Sequence, residues 1–167
     1  MEKFLEKISA YQFLNYMIPG TLFIILVDFL KIYELSMDNV LLILFGGYCS
    51  GMVLSRIGSL LIEKYLRKWR FVVFAPYEDF KNAEDKDSKV TTLSMENNMF
   101  RTFLAMFLVL LVLYGLSLIP VVNESMHTKW MPLITIVLLV LLFLFAYRKQ
   151  TKYVRKSVEQ INNKKKE

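Results

Sequence analysis

The stretch EKYLRKWRF, residues 63–71, sets Lys64, Arg67, Lys68 and Arg70 among Tyr65, Trp69 and Phe71. Cations interleaved with rings suit a polyanion, because the charges neutralise phosphates while the rings stack on bases. The same residues also suit a membrane boundary, where aromatic belts are flanked by Lys and Arg. A second basic run, Arg148, Lys149, Lys152, Arg155 and Lys156, continues to Lys164, Lys165 and Lys166. Eight positive charges stand against Glu159 and Glu167 in these last twenty residues. Orientation in a membrane and attraction to anionic headgroups explain part of that excess. A nucleic-acid or nucleotide ligand is the sharper expectation.

Other chemistry is poorly provided for. The chain has no phosphate-cradling glycine loop, no H-E-x-x-H, no nucleophile elbow and no His, Cys, Asp and Glu cluster at metal spacing. His127 is the single histidine, with only Glu124 as a plausible partner, and reads as a surface residue. Cys49 is the single cysteine, so one chain cannot form a disulfide. Neither an enzyme nor a cofactor is expected.

These residues are carried on an oily scaffold. Of 167 residues 55% are hydrophobic and 22% charged, with a net charge of +6. Crossing about 30 Å of hydrocarbon takes roughly 20 helical residues, and four apolar runs approach that length: 13–32, 40–62, 100–122 and 130–147. The expected fold is an all-α integral membrane protein. Residues 1–16, with Phe4, Ile8 and Tyr11 at helical spacing, read as an amphipathic interfacial helix. Segment 63–99 is basic and aromatic, and 148–167 is a basic tail. Lys31 and Lys129 are the only basic residues of the two short loops, so the positive-inside bias puts both termini and the basic segments in the cytoplasm.

Within this frame, Pro19 predicts a bend where the chain meets the first span. Gly47, Gly51, Ser55 and Ser59 recur every four residues and form one small-residue stripe along the second. Such a stripe serves close helix packing or lines an aqueous path. Arg56 borders it about 24 Å along the helix from Val40, within snorkelling reach of the cytoplasmic boundary and also placed for a vestibule or ligand. KNAEDKDSK, residues 81–89, reads as a solvated loop, followed by a helix that Ser88 caps. Tyr147, Thr151, Val154, Val158 and Ile161 alternate spacings of four and three, a short coiled-coil seam able to join subunits.

YQFLNYMIPGTLF at 11–23 and ENNMFRTF at 96–103, with the four-span layout, resemble small bacterial anti-phage membrane effectors, in particular the channel-forming effector of Hailong-type systems. The resemblance implies a homo-oligomeric ion channel, such as a tetramer, in the bacterial inner membrane. It also implies a single-stranded DNA oligomer that holds the channel closed from the cytoplasmic side, and a nucleotidyltransferase-like partner protein. The ligand positions expected here rest on charge and place: Arg56, Lys64, Arg67, Lys68, Arg70, Arg148, Lys149, Lys152, Arg155 and Lys156. A non-enzymatic membrane adaptor that recruits a partner or anionic lipid through its basic tail is the other reading.

Overall fold

The computed structural model describes residues 12–34, 39–118 and 126–163, without the side chains of Leu14 and of residues 126–129. The interfacial helix expected over 1–16 therefore lies almost wholly outside the described residues, as does the side chain of His127. Among the described residues the chain is all-helical. A π-helical turn, Phe13–Met17, leads into α1 (Ile18–Phe29). Helix α2 (Val40–Ile57) runs through a second π turn, Gly58–Ile62, into α3 (Glu63–Lys68). Helices α4 (Tyr77–Lys86), α5 (Ser88–Leu118) and α6 (Met126–Asn163) complete the order.

Three stretches are long and apolar enough to cross a membrane: Val40–Lys68, Ser88–Leu118 and Trp130–Asn163. Length and composition thus mark a membrane protein. The first expected span is a shorter apolar helix, Asn15–Phe29. Pro19 does not break it. Proline lacks an N–H and crowds the carbonyl four residues back, and the π turn immediately upstream accommodates it, with Ile18 N–H donating to the Phe13 carbonyl. Helix α1 closes in a Schellman motif. Ile32 N–H donates to Val27 O at 3.0 Å and Lys31 N–H to Asp28 O at 2.8 Å, with Lys31 at φ 51° where glycine is usual. Helix α3 closes in the same way, through Phe71 to Leu66 (2.9 Å), Arg70 to Arg67 (3.0 Å) and Arg70 at φ 53°.

The small-residue stripe packs within the chain. Gly47, Gly51 and Ser55 are buried. A methyl group on Gly20 would overlap the backbones of Gly47 and Gly51, and one on Gly51 would overlap the Tyr16 backbone. Helices α1 and α2 therefore meet backbone to backbone, as membrane helices do where apolar burial no longer drives association. Below that seam Val27, Leu54, Met106, Phe107, Leu110, Tyr114 and Ile136 form the core between α1, α2, α5 and α6. The Phe143 ring is central to the α5–α6 contact, 5.0 Å from Phe103 and 5.2 Å from Phe107.

Residues 77–86, expected to belong to the basic and aromatic segment 63–99 and, from 81, to a solvated loop, form helix α4 instead. Pro76 stands at its N-cap, Glu78 and Asp79 occupy the first turn and Lys86 the last, which complements the helix dipole at both ends. Ala83 on its inner face is fully buried against Val90 and Val158. The cap of α5 comes from Asp87, whose carboxylate accepts from Lys89 N–H at 2.8 Å, rather than from Ser88. Helix α6 continues unbroken into the tail as far as Asn163. Most of its expected oligomerising seam is already covered: Tyr147, Thr151, Val154 and Val158 are buried within the chain, against α3, α4 and α5, and Ile161 is half-buried beside them.

Gly51→Val should lower stability by about 1–3 kcal/mol, the usual cost of overpacking. Gly115→Ala, whose added methyl meets nothing within 4 Å, should be neutral or stabilising through its better helix propensity. Thermal unfolding midpoints in detergent would check both.

Candidate anion-binding pocket

The basic ends of α3, α5 and α6, with α4 and residues 69–76, form a module below the apolar core. One carboxylate ties it to the spans. Glu63 is paired through Oε2 with Arg101 of α5 and through Oε1 with Arg67 at 3.5 Å. The Arg101 and Glu63 side chains are only 12% and 17% exposed, and the buried Tyr147 of α6 lies against the pair. Two further polar ties join α5 to α6. The Thr151 hydroxyl is 2.9 Å from Asn97 Oδ1, with both residues buried, and Gln150 Nε2 donates to Glu96 Oε2 at 2.9 Å. Asn97, which sits badly in lipid, thus has a protein partner.

A pocket of about 310 Å³ opens beside these ties, lined by Arg67, Phe74, Tyr77, Phe80, Ser94, Asn97, Asn98, Thr151 and Arg155. Arg67 lies over the Phe74 ring, 4.9 Å from its centroid, a cation–π contact that holds the guanidinium at the rim. Arg155 is held by Glu159 at 2.7 Å. Each guanidinium has five N–H donors, and each is engaged by a single carboxylate, so donors remain for a phosphate or carboxylate ligand. Three rings, two amides and two arginines form a lining able to take an anion on one side and a flat or apolar group on the other.

The ten basic residues expected as ligand positions are all exposed, yet the fold does not gather them at one place. Arg67 and Arg155, 88 positions apart in the chain, share the pocket. Arg148 instead covers the Phe71 ring at 4.6 Å, and Phe71 packs on Phe145. Lys64, Lys68, Arg70, Lys149, Lys152 and Lys156 lie outside the lining, and Arg56 stands apart on an exposed apolar face of α2 with Met52 and Val53. The rings also differ from expectation. Tyr65 and Trp69 point outward and lean on each other at 6.2 Å, whereas Phe74 and Phe80 are half-buried along the pocket and the exposed Tyr77 stands at its rim. The aromatic content of 74–80 is readable in the sequence, but the packing of Phe80 depends on α4.

Among the described residues no three of His, Cys, Asp and Glu converge as a metal site would require. Comparison with protein-family models, curated proteins and solved structures finds no match.

Glu63→Gln leaves the Arg101 charge with no carboxylate in a mostly buried place, and should cost about 3 kcal/mol. Replacing both partners with apolar residues, Glu63→Leu with Arg101→Met, should recover most of that loss. Unfolding of the two variants in the same detergent checks the sign and the recovery.

Proposed function

We propose that this chain is a multi-pass membrane effector whose basic module holds a nucleic-acid or nucleotide ligand and whose spans, assembled as a homo-oligomer, form an ion channel that the ligand keeps closed. The observation that carries this reading is continuity. Helices α5 and α6 run without interruption from the apolar core to the pocket that contains Arg155, Asn97 and Thr151. A ligand that pulls on Arg67 and Arg155 therefore bears directly on helices of the membrane region. In this reading α1 is a short fourth span, both termini are cytoplasmic, and the membrane is the inner membrane of a bacterium. The resemblance to anti-phage effectors supplies the setting, in which a nucleotidyltransferase-like partner governs the ligand and its loss depolarises the cell. Because Gly47 and Gly51 are packed against α1, the conducting path in this account lies between subunits.

One observation favours a second reading, a non-conducting adaptor. The stripe that best suited an aqueous path is consumed by packing, and the outward face of α6 is apolar at Ile134, Leu138, Leu142 and Phe145. Such spans serve as an anchor, and the basic module would then recruit a partner or anionic lipid.

Membrane potential separates the two. Induced alone in bacteria, the wild-type chain should depolarise the membrane within minutes, read by a voltage-sensitive dye; an unchanged potential at confirmed membrane expression supports the adaptor. Binding of a short single-stranded oligonucleotide should fall steeply with salt. Arg67→Ala with Arg155→Ala should flatten the logarithmic slope by about 1.4, from roughly 0.7 per lost phosphate contact. Binding that is insensitive to salt would contradict the ligand half of the proposal.

A further inference from the structure

The pocket that holds Arg67 and Arg155 has two unlike sides. Its α5 side is polar: Asn97 and Asn98 stand three and four residues after Ser94, on one face of the helix. Asn97 is only 5% exposed, and its Oδ1 accepts from the Thr151 hydroxyl at 2.9 Å. That contact leaves the amide nitrogen as the group Asn97 brings to the pocket, and among the described residues it has no acceptor. The Asn98 amide and the Ser94 hydroxyl, on half-buried residues, also lack a partner among the described residues. Asn98 bonds only through its backbone carbonyl, which accepts from the Thr102 hydroxyl at 2.9 Å. The opposite side is apolar, with Phe74, Ala75 and Phe80 half-buried along it, and the floor is Thr151 and Val154 of α6, both buried. A nearly buried amide without an acceptor is costly, so an aliphatic ligand would leave Asn97 unsatisfied. A bare phosphate would leave the side of Phe74 and Phe80 unfilled. A planar heterocycle meets both demands, because it has an apolar face and a hydrogen-bonding edge.

We propose that the pocket takes a single nucleotide base-first, with the edge of the base hydrogen-bonded by Asn97 and Asn98 and the phosphate outside at Arg67 and Arg155. The Asn97 amide nitrogen donates to a carbonyl or ring nitrogen of the base. Asn98, whose amide both donates and accepts, meets the neighbouring atom of the same edge. At about 310 Å³ the pocket stands at the small end of the roughly 300–1,000 Å³ usual for ligand sites, with room for one base and not for a stack. An oligonucleotide is then held by one inserted base, and the rest of its length adds charge contacts with the lysines outside the lining. This inference rests on the reading of the pocket as a nucleic-acid or nucleotide site, and not on the channel.

Displacement of a fluorescent single-stranded oligonucleotide from the full-length chain in neutral detergent tests it. The competitors are the deoxynucleoside monophosphates and 2-deoxyribose 5-phosphate, which has the same sugar and phosphate without a base. The best nucleotide should compete at least about tenfold better than the sugar phosphate, the worth of one paired base edge. Asn98→Leu, which keeps the contact between Asn97 and Thr151, and Asn97→Leu should each lower that ratio about fivefold, the worth of one hydrogen bond, while the sugar phosphate competes as before. Arg155→Ala should weaken nucleotide and sugar phosphate alike. Equal competition by nucleotide and sugar phosphate, or a ratio that survives both asparagine variants, overturns base insertion and leaves the anion site standing. An oligonucleotide that binds but is displaced by none of the nucleotides places the contact outside the pocket and overturns it too. No oligonucleotide binding at all overturns the pocket ligand and this inference together.

Discussion

Glu63 stands where three helices pass from apolar to basic sequence, and its one carboxylate faces two guanidiniums. Arg101 comes to it from α5, Arg67 lies one turn further along its own helix, and Tyr147 of α6 packs against the group. Without that carboxylate, Arg101 would be a mostly buried cation among apolar side chains, a state that proteins avoid at a cost of several kcal/mol. The module's geometry follows from it. Arg67 is steadied at the pocket rim by Glu63 on one side and the Phe74 ring on the other. The segment carrying Phe71, Val72 and Phe74 is in turn laid against α5 and α6 by the αL turn at Arg70.

A second constraint acts at the opposite end. Glycine at 20, 47 and 51 removes the side chains that would hold α1 and α2 apart. The two helices become one unit, and this explains how a helix as short as α1 is retained: its stability comes from α2 and the α5–α6 pair rather than from its own length. Glycine contact at one end and ion-paired polar contact at the other leave the outward faces of α2 and α6 as the surfaces presented to lipid or to other chains.

Much of the architecture was legible in the sequence because long apolar runs and a 3.6-residue period are local signals. Three of the four expected spans as long apolar helices, the continuation of the last helix through YRKQTKYVRKSVEQI and the small-residue stripe all follow from it. What escaped was long-range. The heptad-like spacing at Tyr147, Thr151, Val154 and Val158 signals a buried seam, but spacing does not say what buries it, and here the cover is α3, α4 and the base of α5. KNAEDKDSK reads as solvated because only Ala83 of that stretch is apolar, and the helix docks through Ala83 with Phe80 before it and through hydrogen bonds of Asp79, Glu84 and Lys86 to α5 and α6. Charge and place along the chain point to ten basic positions. The fold brings two of them, Arg67 and Arg155, to the same pocket, through contacts between helices that no local pattern encodes.

The central physical claim is that the basic module is built onto the membrane helices as one folded unit, through which ligand occupancy reaches the spans. Hydrogen exchange on the chain in nanodiscs, with and without a short single-stranded oligonucleotide, tests it most directly. The account predicts that amides of 91–101 and 147–158 are protected before ligand is added, at levels near those of the spans, and that ligand extends the protection upward into 102–110. Exchange of 147–158 at the rate of a free peptide, whatever the ligand, would contradict it.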